Sequence, residues 1–320
     1  MIRKITAAFI GTLFLSALNA QQSAGIIEID NQAIMDTLYE AVPRMAAACP
    51  DAGLASLQRH ISAGFSSATS YSSADFSSAR TAKAFSGAES STAPLTPAEI
   101  YTKRIKGVLM FGNYYDCGEC DNLHVGVGAT ATVLTPDGIC LTNYHVMEDI
   151  IKNDTAALSG DSLFYVGTVE GKVYPVTDIL AYSRLGDLAV FRVDTRGDRL
   201  EAIPLGTSLP AGSRVHVIGH PKQQFYYYTQ GVVARNSKHT YSEGVTMRRM
   251  QITADFAVGA SGGPILDDCG NLVGIVASTT ALYFDDEEKA NQQMVVKSTI
   301  PVSVIKELLK LPSVTAEIQK

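Results

Sequence analysis

Several things are scarce in this 320-residue chain, and each scarcity excludes something. Tryptophan is absent, and 26 Lys and Arg are outnumbered by 32 Asp and Glu, for a formal net charge of -6. That balance argues against nucleic acid as the partner. Beyond the first twenty residues no stretch is apolar enough to span a bilayer, which takes roughly 20 residues. No internal repeat is evident. Histidine is sparse, at six, and none follows His239. Cysteine numbers five, an odd count, so pairing within the chain leaves at least one thiol over.

The start of the chain has the pattern of a secretory signal. Arg3 and Lys4 supply a positive start, Ala7 to Leu18 an apolar core, and Ala20 a small residue before Gln21. No Cys stands immediately after that point, which argues against a lipid anchor. The expected mature protein is exported, periplasmic or secreted, without a stable membrane span. Cys117-Gly-Glu-Cys120 is the close cysteine pair, and it admits three readings: a small disulfide loop, half of a metal site with His124, or a redox pair. A fourth metal ligand is not evident and the redox motif lacks a βαβ context, so in an exported chain a Cys117–Cys120 disulfide is the expectation and no metal is assigned.

Residues 21–96 read as an N-terminal extension. Apolar spacing at Ile34, Leu38, Ala41 and Met45 predicts a helix over 28–48, with Pro43 expected to kink or end it. From about Ser62 to Ala93 a Ser/Ala-rich composition offers little to bury and suggests a partly disordered linker. Thr96, Pro97 and Glu99 form a helix-start signature. After Lys106 short β-rich runs alternate with turn residues up to Ala277, and a last helix is expected from about Pro301 to Leu309. Such texture indicates an all-β fold and argues against βαβ units.

The chemistry concentrates in three segments. Gly259-Ala-Ser261-Gly-Gly263-Pro264 sets a serine among glycines, where the backbone turns tightly and N–H groups can meet an oxyanion. Thr142-Asn-Tyr-His145-Val146 closes an apolar strand, and Leu185-Gly-Asp187-Leu-Ala-Val190 puts an aspartate at the head of another. Gly259-x-Ser261-x-Gly263 also fits the nucleophile elbow of α/β-hydrolases, but that fold needs a histidine after the serine, and none is present.

Taken in order, the three segments resemble the trypsin-like (chymotrypsin-fold) serine peptidases, and most closely the bacterial HtrA/Deg-like exported proteases. The likeness covers roughly residues 97–310. It implies two antiparallel β-barrels, about 105–200 and 201–300, with a cleft between them and a peptidase domain over 97–320. It implies catalytic roles for His145, Asp187 and Ser261, an oxyanion hole from the N–H groups of Gly259 and Ser261, protein or peptide substrates, and no cofactor.

Two departures qualify the likeness. The PDZ module usual in that branch is not expected after the last helix, and position 260 is Ala, so activation through an ion pair to an aspartate before the serine is not expected. For the substrate pocket, Asp255 lies at the offset that gives trypsin a basic preference, whereas Ala277 and Thr279 would shape a wall suited to small aliphatic residues. The alternative is a non-catalytic binding or chaperone-like protein that keeps the fold. His220 reads as a turn or core histidine, Arg248-Arg249 as a solvated face, and Asp285–Glu288 as an exposed acidic loop, ahead of calcium binding.

Overall fold

A computed structural model describes residues 26–54, 56–57, 88–152, 162–240, 246–285 and 287–309. The signal-like segment and most of the Ser/Ala-rich stretch lie outside the described residues. Among the described residues twelve strands make two closed antiparallel barrels. The first holds β1 (Val108–Asp116), β2 (Leu123–Val133), β3 (Ile139–Thr142), β4 (Leu163–Gly167), β5 (Val173–Ser183) and β6 (Leu188–Val193), in the order β1-β2-β3-β6-β5-β4. The second holds β7 (Arg214–Gly219), β8 (Tyr227–Thr240), β9 (Thr246–Ile252), β10 (Pro264–Leu266), β11 (Leu272–Asp285) and β12 (Ala290–Pro301), in the order β10-β11-β12-β9-β8-β7. The all-β, two-barrel expectation holds. Among the described residues no helix is long and apolar enough to cross a membrane.

Helix α1 (Asn31–Ala48) runs through Pro43 without ending there. Asp30 caps it, accepting the N–H groups of Gln32 and Ala33 at 3.0 Å each. Ile34, Leu38, Val42 and Met45 are buried on one face, which packs on β2, β4 and β5. Four such side chains contribute about 1.5–3 kcal/mol each, against roughly 3 kcal/mol for an interior proline. Packing therefore outweighs propensity. The consequence is architectural, since this part of the N-terminal region closes one side of the first barrel. Gly53 even bridges to Leu163.

Helix α2 (Pro97–Arg104) starts as expected. The Thr96 hydroxyl accepts the Glu99 N–H at 3.3 Å, and the Glu99 carboxylate accepts the Thr96 N–H at 2.8 Å, which lowers the Glu99 pKa. Just before it, Leu95 N–H donates to the Asp268 carbonyl, and Ser91 exchanges two hydrogen bonds with the Asn271 side chain. Residues 91–95 are thereby fastened to the second barrel.

Two elements escape the sequence reading. β12 begins Ala-Asn-Gln-Gln and is exposed over that half, so alternation is missing; its pairing with β11 makes it a strand. Helix α3 (Tyr144–Lys152) begins where strand β3 ends, and carries His145 in its first turn. Helix α4 (Val302–Leu308) closes the described chain with Val302, Val304, Ile305 and Leu308 buried.

Candidate active site

The first barrel delivers two of the three residues. Asn143 separates β3 from α3, so His145 emerges at the mouth of the barrel, its side chain 45% exposed. Asp187 ends the turn before β6 with φ 58°, a left-handed conformation that aspartate tolerates. Gly186 N–H to Ser183 Oγ and Asp187 N–H to the Arg184 carbonyl hold that turn.

The Asp187 carboxylate accepts three donors. His145 Nδ1 lies 3.0 Å from both of its oxygens, the His145 backbone N–H donates to Oδ1 at 3.1 Å, and the Asn143 amide donates to Oδ2 at 3.3 Å. A carboxylate only accepts, so Nδ1 carries the ring proton. Nε2 is left as an acceptor, and Ser261 Oγ lies 3.0 Å from it. The result is a continuous chain from carboxylate to imidazole to hydroxyl.

Ser261 comes from the second barrel, and buried threonines of the first hold its loop. Thr130 Oγ1 donates to the Gly259 carbonyl at 2.8 Å, Thr132 Oγ1 to the Gly262 carbonyl at 2.9 Å, and Thr130 N–H to the Ser261 carbonyl at 2.9 Å. Gly262 has φ 84°, and a Cβ there would sit 2.2 Å from the Thr130 carbonyl oxygen, so the motif's glycine is required by contact as well as by conformation. Ala260 is buried among Gly219 and the second barrel's core.

The backbone N–H groups of Gly259 and Ser261 have no protein acceptor among the described residues. One cause is visible. The Val258 carbonyl accepts Lys222 N–H at 2.7 Å, and in a trans peptide this turns the next N–H, that of Gly259, the opposite way. Lys222, Gln223 and Tyr226 all have positive φ, so backbone strain is stored in the loop that sets this peptide.

A cleft of about 540 Å³ opens beside His145 and Ser261. Ala277 and Thr279 line it, together with Phe256, Val258 and Val276. Asp255 does not line it. Its carboxylate is 83% exposed and lies 3.3 Å from Lys297 Nζ, which also donates to the Phe256 carbonyl at 2.6 Å and sits over that ring. The offset from Ser261 misplaces Asp255, because the chain turns outward there while Phe256 turns in.

The expected Cys117–Cys120 disulfide is not formed; the sulfurs are 3.5 Å apart and all five cysteines are free thiols. The loop instead holds Cys120 Sγ 3.1 Å from His124 Nε2. His220 is a buried core residue, as expected; burial pushes its pKa down to about 3, while the Leu109 backbone acts the other way. Sequence reasoning missed Asn143, Thr130 and Thr132. Asn143 stood inside a quoted segment, and nothing local marks a buried threonine as a cross-barrel donor.

A family model described as a trypsin-like peptidase domain matches residues 129–275. Residues 129–275 thus match a trypsin-like peptidase domain, and the relatives found for the chain include several named Deg or Do-like proteases.

Protease Do-like 1, chloroplastic, of Arabidopsis thaliana is 32% identical to this chain over 175 residues, 52% of this chain and 36% of that protein. Serine endoprotease DegS of Haemophilus influenzae is 26% identical over 193 residues, 59% of this chain and 51% of that protein. The chain thus spans about half or less of the curated relatives it matches. A solved HtrA-type protease, AlgWS227A with tripeptide, superposes with a TM-score of 0.50 at 21% identity over 68% of this chain and 63% of that one, a likeness of fold.

Proposed function

We propose that this protein is an exported serine endopeptidase that hydrolyses peptide bonds through an acyl-enzyme on Ser261. The observation that carries the reading is the unbroken Asp187–His145–Ser261 chain, with 3.0 Å at each link. Ser261 Oγ attacks the substrate carbonyl as His145 Nε2 takes its proton, and the same imidazolium returns the proton to the leaving amine. Asp187 fixes the tautomer and stabilises the imidazolium. The N–H groups of Gly259 and Ser261 receive the oxyanion; losing one such donor costs roughly 3–4 kcal/mol of transition-state stabilisation.

The peptidase unit extends over 97–320, with residues 31–54 and Leu57 packed on its first barrel. The second barrel's side of the cleft, from Phe256 to Ser261 and Val276 to Thr279, carries no charged side chain. This supports an uncharged, small to medium residue before the cut bond. Export rests on the signal-like first twenty residues and on relatives such as one named a probable periplasmic serine endoprotease DegP-like, from Chlamydia pneumoniae.

The test is labelling with a fluorophosphonate probe beside Ser261→Ala. The reading expects stoichiometric labelling of the wild type alone, and labelling equal to that of the variant would sink it. A peptide library would then expose the specificity: cleavage after Arg or Lys, lost in Asp255→Ser, would overturn the uncharged preference.

A further inference from the structure

The β1–β2 hairpin ends in a cluster that the cleft chemistry does not use. Register pairs Tyr115 with His124 and Asp116 with Leu123, so the loop Cys117–Asn122 closes over the two strand ends. Gly118 turns it with φ 71°, and the Asp116 carboxylate accepts the Gly118 N–H at 2.8 Å. The turn folds Cys120 back toward the strands. Its sulfur lies 3.1 Å from His124 Nε2 and 3.5 Å from Cys117 Sγ, and the three atoms fall within 4.8 Å of one another. The His124 ring packs beside Tyr115 at 5.7 Å, which restricts its swing.

We propose that Cys117, Cys120 and His124 bind one thiophilic metal ion, with zinc as the fitting occupant, in a site of two sulfurs and one nitrogen whose fourth position is open to solvent. Two sulfurs bound to one zinc at about 2.3 Å with tetrahedral angles stand about 3.8 Å apart, and a sulfur–nitrogen pair about 3.5 Å. A disulfide needs about 2.05 Å. The 3.5 Å between the sulfurs and the 3.1 Å from Cys120 Sγ to His124 Nε2 come within a few tenths of an ångström of shared ligation, and the third pair lies within 4.8 Å. Thiolate and imidazole donors suit zinc and select against calcium and magnesium, which take oxygen ligands. Binding exchanges two S–H protons for two Zn–S bonds, with neutral His124 contributing a lone pair, so two protons are released and nothing is oxidised.

The position gives the site a structural consequence. Asn113 on β1 and Gly128 on β2 line the cleft, a few residues from the loop. An ion there would clamp the far end of the strands that form one cleft wall.

The experiment is a titration of the full-length, reduced protein with cobalt(II) under anaerobic conditions, followed by displacement with zinc. We expect one equivalent of cobalt to give sulfur-to-cobalt charge-transfer and tetrahedral d–d bands, both erased by zinc. Cys117→Ser with Cys120→Ser should abolish the charge-transfer band. His124→Ala should weaken binding by more than about tenfold, since even the loss of a hydrogen-bond partner to a ligand costs that much. Absence of the band in the reduced protein, its survival in the double serine variant, or undiminished affinity in His124→Ala would each overturn the proposal. All three residues sit on an exposed hairpin tip, so circular dichroism of each variant provides the check on folding.

Discussion

Two histidine–aspartate pairs among the described residues share a 3.0 Å separation and have very different surroundings. In the cleft, His145 meets Asp187 and turns Nε2 toward Ser261 Oγ. On the second barrel, His216 Nε2 meets Asp268 while Nδ1 lies 2.7 Å from the Tyr228 hydroxyl. The His145 side chain is 45% exposed, and that of His216 is 2% exposed. The distal partner decides the role. A serine hydroxyl at the edge of an open cleft can pass its proton and attack a substrate. The Tyr228 phenol, raised in pKa mainly by burial, is a fixed donor with no path to a substrate. Asp268 also accepts from Arg214, and these donors overcome burial to lower its pKa, which makes it an anchor for β7 against the β10–β11 turn.

The largest effect that would separate the pairs is on rate. Asp187→Asn should lower kcat/KM by about 10⁴-fold through loss of the correct tautomer, with little change in stability. The matching Asp268→Asn should leave kcat/KM within about threefold. Equal losses in the two variants, measured on one peptide substrate, would erase the distinction.

A third histidine gives the comparison a reference point. His220 is fully buried and accepts Tyr226 N–H at Nδ1. Its folded pKa is about 3 against an ordinary value near 6.5, so between those values the unfolded chain binds a proton that the fold refuses. Stability is fully present above about pH 6.5 and falls as the pH drops, by up to about 1.4 kcal/mol per pH unit from this residue. Denaturant midpoints from pH 7 to 4 should therefore fall less steeply in His220→Gln than in the wild type. Parallel slopes would show that His220 contributes no acid lability.

The smallest effect is structural. His216→Phe removes two part-buried hydrogen bonds and leaves Tyr228 with only the 3.4 Å bond to Gln230 Oε1, a loss of about 1–3 kcal/mol on chemical denaturation. Activity per folded molecule should be unchanged. A fall in kcat beyond about threefold would mean that this pair supports the cleft as well.

Much of this was legible in the chain, for identifiable reasons. Each of the three segments sits beside a run of apolar β-formers, but no single one decides a role; their order and resemblance to the trypsin-like peptidases singled out His145, Asp187 and Ser261. The Thr96–Glu99 capping box is a purely local device. What failed depended on distance. β12 is a strand because β11 lies beside it, and α1 passes Pro43 because a barrel buries its other face. Asp255 lies near Ser261 in sequence, but the backbone turns its carboxylate to Lys297. Thr130 and Thr132 look like ordinary strand threonines until the second barrel's loop is laid across them.

The central claim is that one histidine of the two pairs activates Ser261. The direct measurement is the second-order rate of fluorophosphonate labelling at Ser261 in His145→Ala and in His216→Ala, with the labelled peptide identified by mass spectrometry. The account predicts that His145→Ala abolishes labelling while His216→Ala keeps a rate within about threefold of the wild type. Labelling that persists in His145→Ala, or that is lost equally in both variants, would contradict it.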